Sequence, residues 1–229
     1  MKLKKIASLM LAGVMAVSML AGCSGNDTPD PEDPNTDPTG VSVDAINAAL
    51  GEDSKVAFTA SSALQNALEK AIQYVGVDGA SKIDADDLNK FDSSLKLDTS
   101  SNAELQLNND KSEKDEKVEK DKATAAEIVV FKDNGVTDES YVVKQIVEKM
   151  LNDGYVSEGY VTIKNLPAKG SKNYADAEGN GQHFYTFDYT GEMAIDSVVT
   201  SEKGYPVTTY VVVYTVTRTA TSTPVQTAG

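Results

Sequence analysis

The chain of 229 residues has one cysteine, Cys23, and the seventeen residues after it cannot pack. With no second thiol there is no intrachain disulfide, so whatever folds beyond that stretch is held by its core alone. Residues 24–40 contain four Pro, four Asp and one Glu, and no apolar residue larger than Pro. Such a segment buries too little surface to offset its ordering entropy. Pro-rich chain extends at roughly 3.1 Å per residue, which makes this stretch a spacer of up to about 50 Å.

Ahead of the cysteine, Lys2, Lys4 and Lys5 precede an apolar run of seventeen residues, 6–22. The run is shorter than the roughly twenty residues of a membrane span, and it ends in small residues, as export signals do. Leu20-Ala21-Gly22-Cys23 resembles the lipobox of bacterial lipoprotein precursors. The resemblance implies cleavage between Gly22 and Cys23 by the lipoprotein signal peptidase, a diacylglyceryl group on the Cys23 sulfur, and further acylation of the palmitate kind. Two or more acyl chains, at about 0.8 kcal/mol per buried CH₂, hold firmly to a bilayer. Residues 1–22 therefore read as a lipoprotein signal peptide and 23–40 as a lipidated tether, with the rest facing outside the cytoplasm at the cell membrane. The resemblance covers only about the first twenty-five residues and implies nothing for the remainder.

Cleavage would remove three lysines and move the formal net charge from −14 to −17. A chain this acidic is repelled by anionic headgroups and by nucleic acid. Nucleic acid is accordingly not expected as a partner; the bilayer, through Cys23, is.

From Val41 the composition changes. Val43, Ile46 and Leu50 lie on one face of a short helix that Gly51 ends, and Ala60, Leu64, Ala67, Leu68, Ala71, Ile72 and Val75 follow the rhythm of an amphipathic helix. After the polar stretch 78–92, "LKL" at 95–97 and "LQL" at 105–107 suggest a hairpin. Residues 109–122 alternate acids and lysines with only Val118 apolar, and read as an exposed charged excursion. "AEIVVF" predicts a strand, and a helix capped by Thr137 follows, buried through Val142, Val143, Ile146, Val147, Met150 and Leu151. Four strands are then expected, at about 155–164, 182–190, 193–200 and 205–219. Together these predict one α+β domain over 41–219, an antiparallel sheet with two to three helices packed on one face, and a flexible tail at 220–229.

Catalytic equipment is sparse. His183 is the only histidine, and no nucleophile elbow, phosphate loop or zinc-protease motif appears. No catalytic residue is therefore assigned. Two carboxylates alone can run hydrolysis, and Glu158, Asp188, Glu192 and Asp196 fall near expected strands. Asp176, Glu178 and Asn180 occupy positions 1, 3 and 5 of a calcium-loop pattern with Gly181 at the bend. The pattern fails at position 12, where Phe187 replaces the bidentate Glu, so calcium is only a candidate and no other cofactor is expected. "DADDLN" at 84–89 lacks the Gly and is a weaker match.

Nine of the ten tyrosines lie at or beyond residue 141. Tyr185 and Tyr189 share a strand face, as do Tyr210 and Tyr214. Such rings are ordinary sheet packing, or, on an open face, a surface for a protein, peptide or glycan. Three functions follow as expectations: a non-catalytic surface-binding or interaction module, a small carboxylate-dependent hydrolase of the cell envelope, or a structural subunit docking through a helix face or sheet edge.

Overall fold

A computed structural model describes residues 41–97, 122–135, 138–151, 163, 166, 172–175 and 182–224. In chain order the elements are α1 (Val43–Leu50), β1 (Phe58–Ala60), α2 (Ser62–Val75), a 3₁₀ helix (Val77–Lys82), α3 (Ala85–Phe91), β2 (Lys122–Asp133), α4 (Glu139–Leu151), β3 (Lys172–Ala175), β4 (Gln182–Glu202) and β5 (Tyr205–Pro224). The fold is α+β.

The sheet is built on one long hairpin. β4 and β5 pair antiparallel from His183 opposite Pro224 to Glu202 opposite Tyr205. Lys203 and Gly204 turn the chain with φ of 51° and 85°, the two left-handed residues that a tight hairpin with twisted strands requires. β2 pairs antiparallel with β5 along its full length. The outer side of β4 is shared between β3, antiparallel at residues 182–185, and β1, parallel at residues 191–193. The strand order is thus β1-β4-β5-β2, and the single parallel pair makes the sheet mixed where an antiparallel one was expected.

Helices cover both faces, not one. Tyr210, Val212, Tyr214 and Val216 of β5 join a core cluster with Val43 and Ile46 of α1 and Val142, Val143, Ile146 and Met150 of α4. Val211 and Val213 point the other way, into a cluster with Leu64, Leu68 and Ala71 of α2, Ala80 of the 3₁₀ helix and Leu88 of α3. The unbroken run Tyr210–Tyr214 is the pattern of a strand buried on both faces, and it excludes the two-layer arrangement predicted from alternation.

Local sequence accounts for most of the elements. Ser42 accepts a hydrogen bond from the Ala45 N–H at 3.1 Å and caps α1. The acids read as a weak ligand loop at 84–89 form a capping box instead. Asp84 accepts from the Asp87 N–H at 3.0 Å, and Asp87 accepts from the Asp84 N–H at 3.4 Å. Thr137, the expected cap of α4, lies outside the described residues. Asp138 takes that role, its carboxylate accepting from the Ser140 N–H at 3.0 Å and the Ser140 hydroxyl at 2.7 Å. Those bonds hold the Asp138 carboxyl below its ordinary range.

Residues 95–97 are not a strand; Leu97 is instead tied to α3, its N–H and C=O both bonded at 2.8 Å to the Asn89 side chain. The rest of that expected hairpin, the charged excursion up to residue 121, and most of the expected strand at 155–164 lie outside the described residues. The strands expected at 182–190 and 193–200 are one continuous strand. Gly191, between the two expected strands, allows close approach: a Cβ there would lie 2.5 Å from the Phe58 ring and 2.8 Å from Val56.

Asn47 repeats the device of Asn89 for β1. Its amide donates to Phe58 O and accepts from the Phe58 N–H, both at 2.8 Å. The backbone of β1 is therefore bonded on both sides, to β4 and to a helix side chain. Replacing Asn47 by Ala removes two hydrogen bonds at about 1 kcal/mol each. The urea midpoint is expected to fall by the equivalent of about 2 kcal/mol; an unchanged midpoint would show the pair to be dispensable.

Candidate functional site

Gly22 and Cys23, the expected cleavage and lipidation site, and Asp176, Glu178 and Asn180, the candidate calcium ligands, lie outside the described residues. Among the described residues, no group of three or more His, Cys, Asp or Glu side chains could hold a metal ion. His183 is half-buried at the start of β4.

The four tyrosines offered as a binding face are core residues. Tyr185, Tyr189, Tyr210 and Tyr214 retain 5, 7, 6 and 0% of their exposure, because α1, α4, Ile163 and Leu166 pack over that side of the sheet. Their rings pack on other rings: Tyr214 meets Phe58 edge-on at 5.4 Å, and Tyr185 stacks on Phe187 at 6.3 Å. An apolar partner would find no ring to contact there.

The opposite side of β4 carries Asp188, Glu192 and Asp196 at intervals of four residues. Strand geometry separates the Cα atoms of neighbours in this row by about 13 Å. Glu158 lies outside the described residues. The strongest electrostatic perturbation is inside the core. Glu127 of β2 is buried and accepts a hydrogen bond from the Tyr214 hydroxyl. Burial pushes its carboxyl up to about 7, with the Tyr214 bond pulling weakly the other way. The Tyr214 hydroxyl is driven well above its ordinary value by burial, then by the Glu127 charge.

Two stretches of the sheet are not packed by helices. One is the half-face beyond α2, where Thr186, Thr190, Thr219, Thr221 and Thr223 are exposed and Thr215 and Thr217 are half-buried. Alternating Thr along β5 is ordinary solvent-facing strand sequence, and Thr124 and Thr217 complete their own hydroxyl pair at 2.8 Å.

The other is the outer edge of β2. Among the described residues no strand pairs with that side of β2. On the opposite side β3 and β1 pair with β4 at residues 182–185 and 191–193, and the Asn47 amide bonds the backbone of β1. Natural edges are ordinarily blunted by proline, bulges, shortness or charge. β2 is twelve residues long, has no Pro, pairs without a bulge, and carries lysines only near its ends, Lys122 and Lys132. Glu127, its one mid-strand charge, points into the core at Tyr214 and presents nothing to the edge. Ile128, Val130 and Phe131 are half-buried along it, and Ile128 and Val130 pack against the same core cluster as Phe91 and Leu95. The edge thus offers a run of backbone donors and acceptors bordered by apolar side chains. "AEIVVF" was legible as a strand, but its outermost place was not, because strand order depends on partners distant in sequence.

Compared with protein-family models, with curated proteins and with solved structures, the chain matches none.

Proposed function

We propose that this protein is a membrane-anchored, non-catalytic interaction module that joins an assembly at the cell surface through the outer edge of β2. One observation carries the reading: twelve residues of β2, without proline or bulge and with apolar side chains along them, meet no further strand on their outer side among those described. Apolar side chains on such an edge add burial to backbone pairing, as in recognition by strand addition. The lipobox resemblance and the Pro-rich spacer support the anchored setting. Among the described residues no helix is long and apolar enough to cross a membrane, and the anchor in this reading is the lipid on Cys23.

The test uses the full chain in cells that make it. A photo-crosslinking residue at position 130, beside the edge, should give a covalent adduct; the same residue at position 221, on the threonine face, should give none. Cys23→Ala should move the chain from the membrane fraction to the soluble fraction. Equal crosslinking at both positions, or none at 130, would remove the edge from consideration.

A further inference from the structure

The partner this edge fits best can be read from β2 itself. We infer that it is a second copy of the chain, paired β2 to β2 and antiparallel about a two-fold axis at Ile128. The inference rests on the reading of the edge as the interaction surface and goes beyond it by naming the occupant and the register.

The two halves of β2 differ in size. Ala123, Thr124, Ala125 and Ala126 are small, whereas Ile128, Val129, Val130 and Phe131 are large. Antiparallel self-pairing sets the small half of each copy against the large half of the other. Opposed residues in an antiparallel pair must point to the same side of the sheet, and side chains alternate sides along a strand. The axis must therefore pass through a residue, not between two.

Charge then selects among the residues. Centring on Glu127 opposes Lys122 to Lys132 twice, and like charges directly opposite destabilise a pair. Centring on Val129 sets Ile128 against Val130 and Glu127 against Phe131, large against large. Centring on Ile128 opposes Ala126 to Val130, Ala125 to Phe131 and Thr124 to Lys132. No like charges meet, and every large apolar residue but Ile128 and Val129 faces a small one. The resulting sheet is continuous through both copies. Phe91 and Leu95 pack against the same core cluster as Ile128 and Val130, on one face of that sheet.

Only Ile128 meets itself in this register, which makes the test specific. The full-length chain in detergent should sediment as a dimer. Ile128→Lys and Ile128→Glu should each self-associate at least about tenfold more weakly, because each places two like charges together at the axis. An equimolar mixture of the two variants should recover the dimer. Ile128 is half-buried, and circular dichroism with a melting curve for each variant separates lost pairing from lost folding. As a register check, Ile128→Cys should crosslink under oxidation far more than Val130→Cys, with the unsubstituted chain and its Cys23 as background.

A monomeric native chain at micromolar concentration, or a mixture that fails to recover, overturns the inference. The crosslink at position 130 separates the two claims. An adduct of twice the chain mass supports the second copy. An adduct of another mass overturns the second copy and leaves the edge as the interaction surface, and no adduct overturns both.

Discussion

The folded chain is expected to lose about 2–3 kcal/mol of stability between pH 5 and pH 8, and Glu127→Gln is expected to abolish most of that loss. The cause is the burial of Glu127 between β2 and the helices over it, where its carboxyl is pushed up to about 7 from an ordinary 4.5. Between those two values the native state holds a proton that the unfolded chain has released. The native state therefore binds more protons than the unfolded state across that window, and stability falls as pH rises through it. The slope halves near pH 7 and the curve is flat by about pH 8. Asp92 and Asp138 have carboxyls lowered by bonds from Ser94 and Ser140. Their effect has the opposite sign and acts only at lower pH, below the ordinary carboxylate value of 3.8. Urea unfolding at pH 5, 6, 7 and 8 is the measurement. A native chain as stable at pH 8 as at pH 5, or a Gln variant that keeps the native slope, would show that the buried carboxyl does not govern the pH response. Glutamine retains an acceptor for the Tyr214 hydroxyl, so the substitution removes the titration and leaves the hydrogen bond.

The second large effect is expected at Gly191. A side chain there would enter the space held by the Phe58 ring and Val56, with even a Cβ only 2.5 Å and 2.8 Å away. Neither obstacle is the far end of a flexible chain: Phe58 is 3% exposed and Val56 1%. Overpacking of a dense core costs about 1–3 kcal/mol, and Gly191→Val is expected at or above the top of that range, with Gly191→Ala smaller. Because the clash is with Phe58, the pair should be strongly non-additive. Phe58→Ala opens the space that a valine side chain at position 191 needs, so the double variant should be more stable than the sum of the single losses predicts. Simple additivity would mean that Gly191 is constrained by something other than the ring above it.

Helix existence was largely legible from periodicity, since α1, α2 and α4 each carry an apolar stripe with a stop or cap beside it. α3 was missed because its seven residues, "ADDLNKF", contain only one fully buried side chain, Leu88. The acids that suggested a ligand loop there were the cap. β1 was missed for a related reason: three residues are too few for any pattern, and its parallel pairing depends on a distant segment of the chain, residues 191–193. The expected gap between 190 and 193 falls on Gly191, and glycine in a strand pattern marks either an end or a close approach; only the position of Phe58 distinguishes them. The tyrosine face failed as a binding surface because alternation shows which residues share a side and not what covers that side. An edge is not written locally at all. It is fixed by where the last strand stops finding partners.

The parallel pairing of β1 also sets an order of events. The β4–β5 hairpin can close from its two-residue turn outward, through contacts local in sequence. β1 must join β4 across 132 residues, the separation of Thr59 from the Gly191 carbonyl that its hydroxyl contacts at 3.2 Å, and contacts so distant form slowly. Synthesis delivers the N-terminal strand first, on the order of ten seconds before its partner exists at ordinary elongation rates. For that interval Val56, Phe58 and the apolar face of α1 lack the sheet that later covers them. The N-terminal part of the domain is thus the first to be made and the last to be finished.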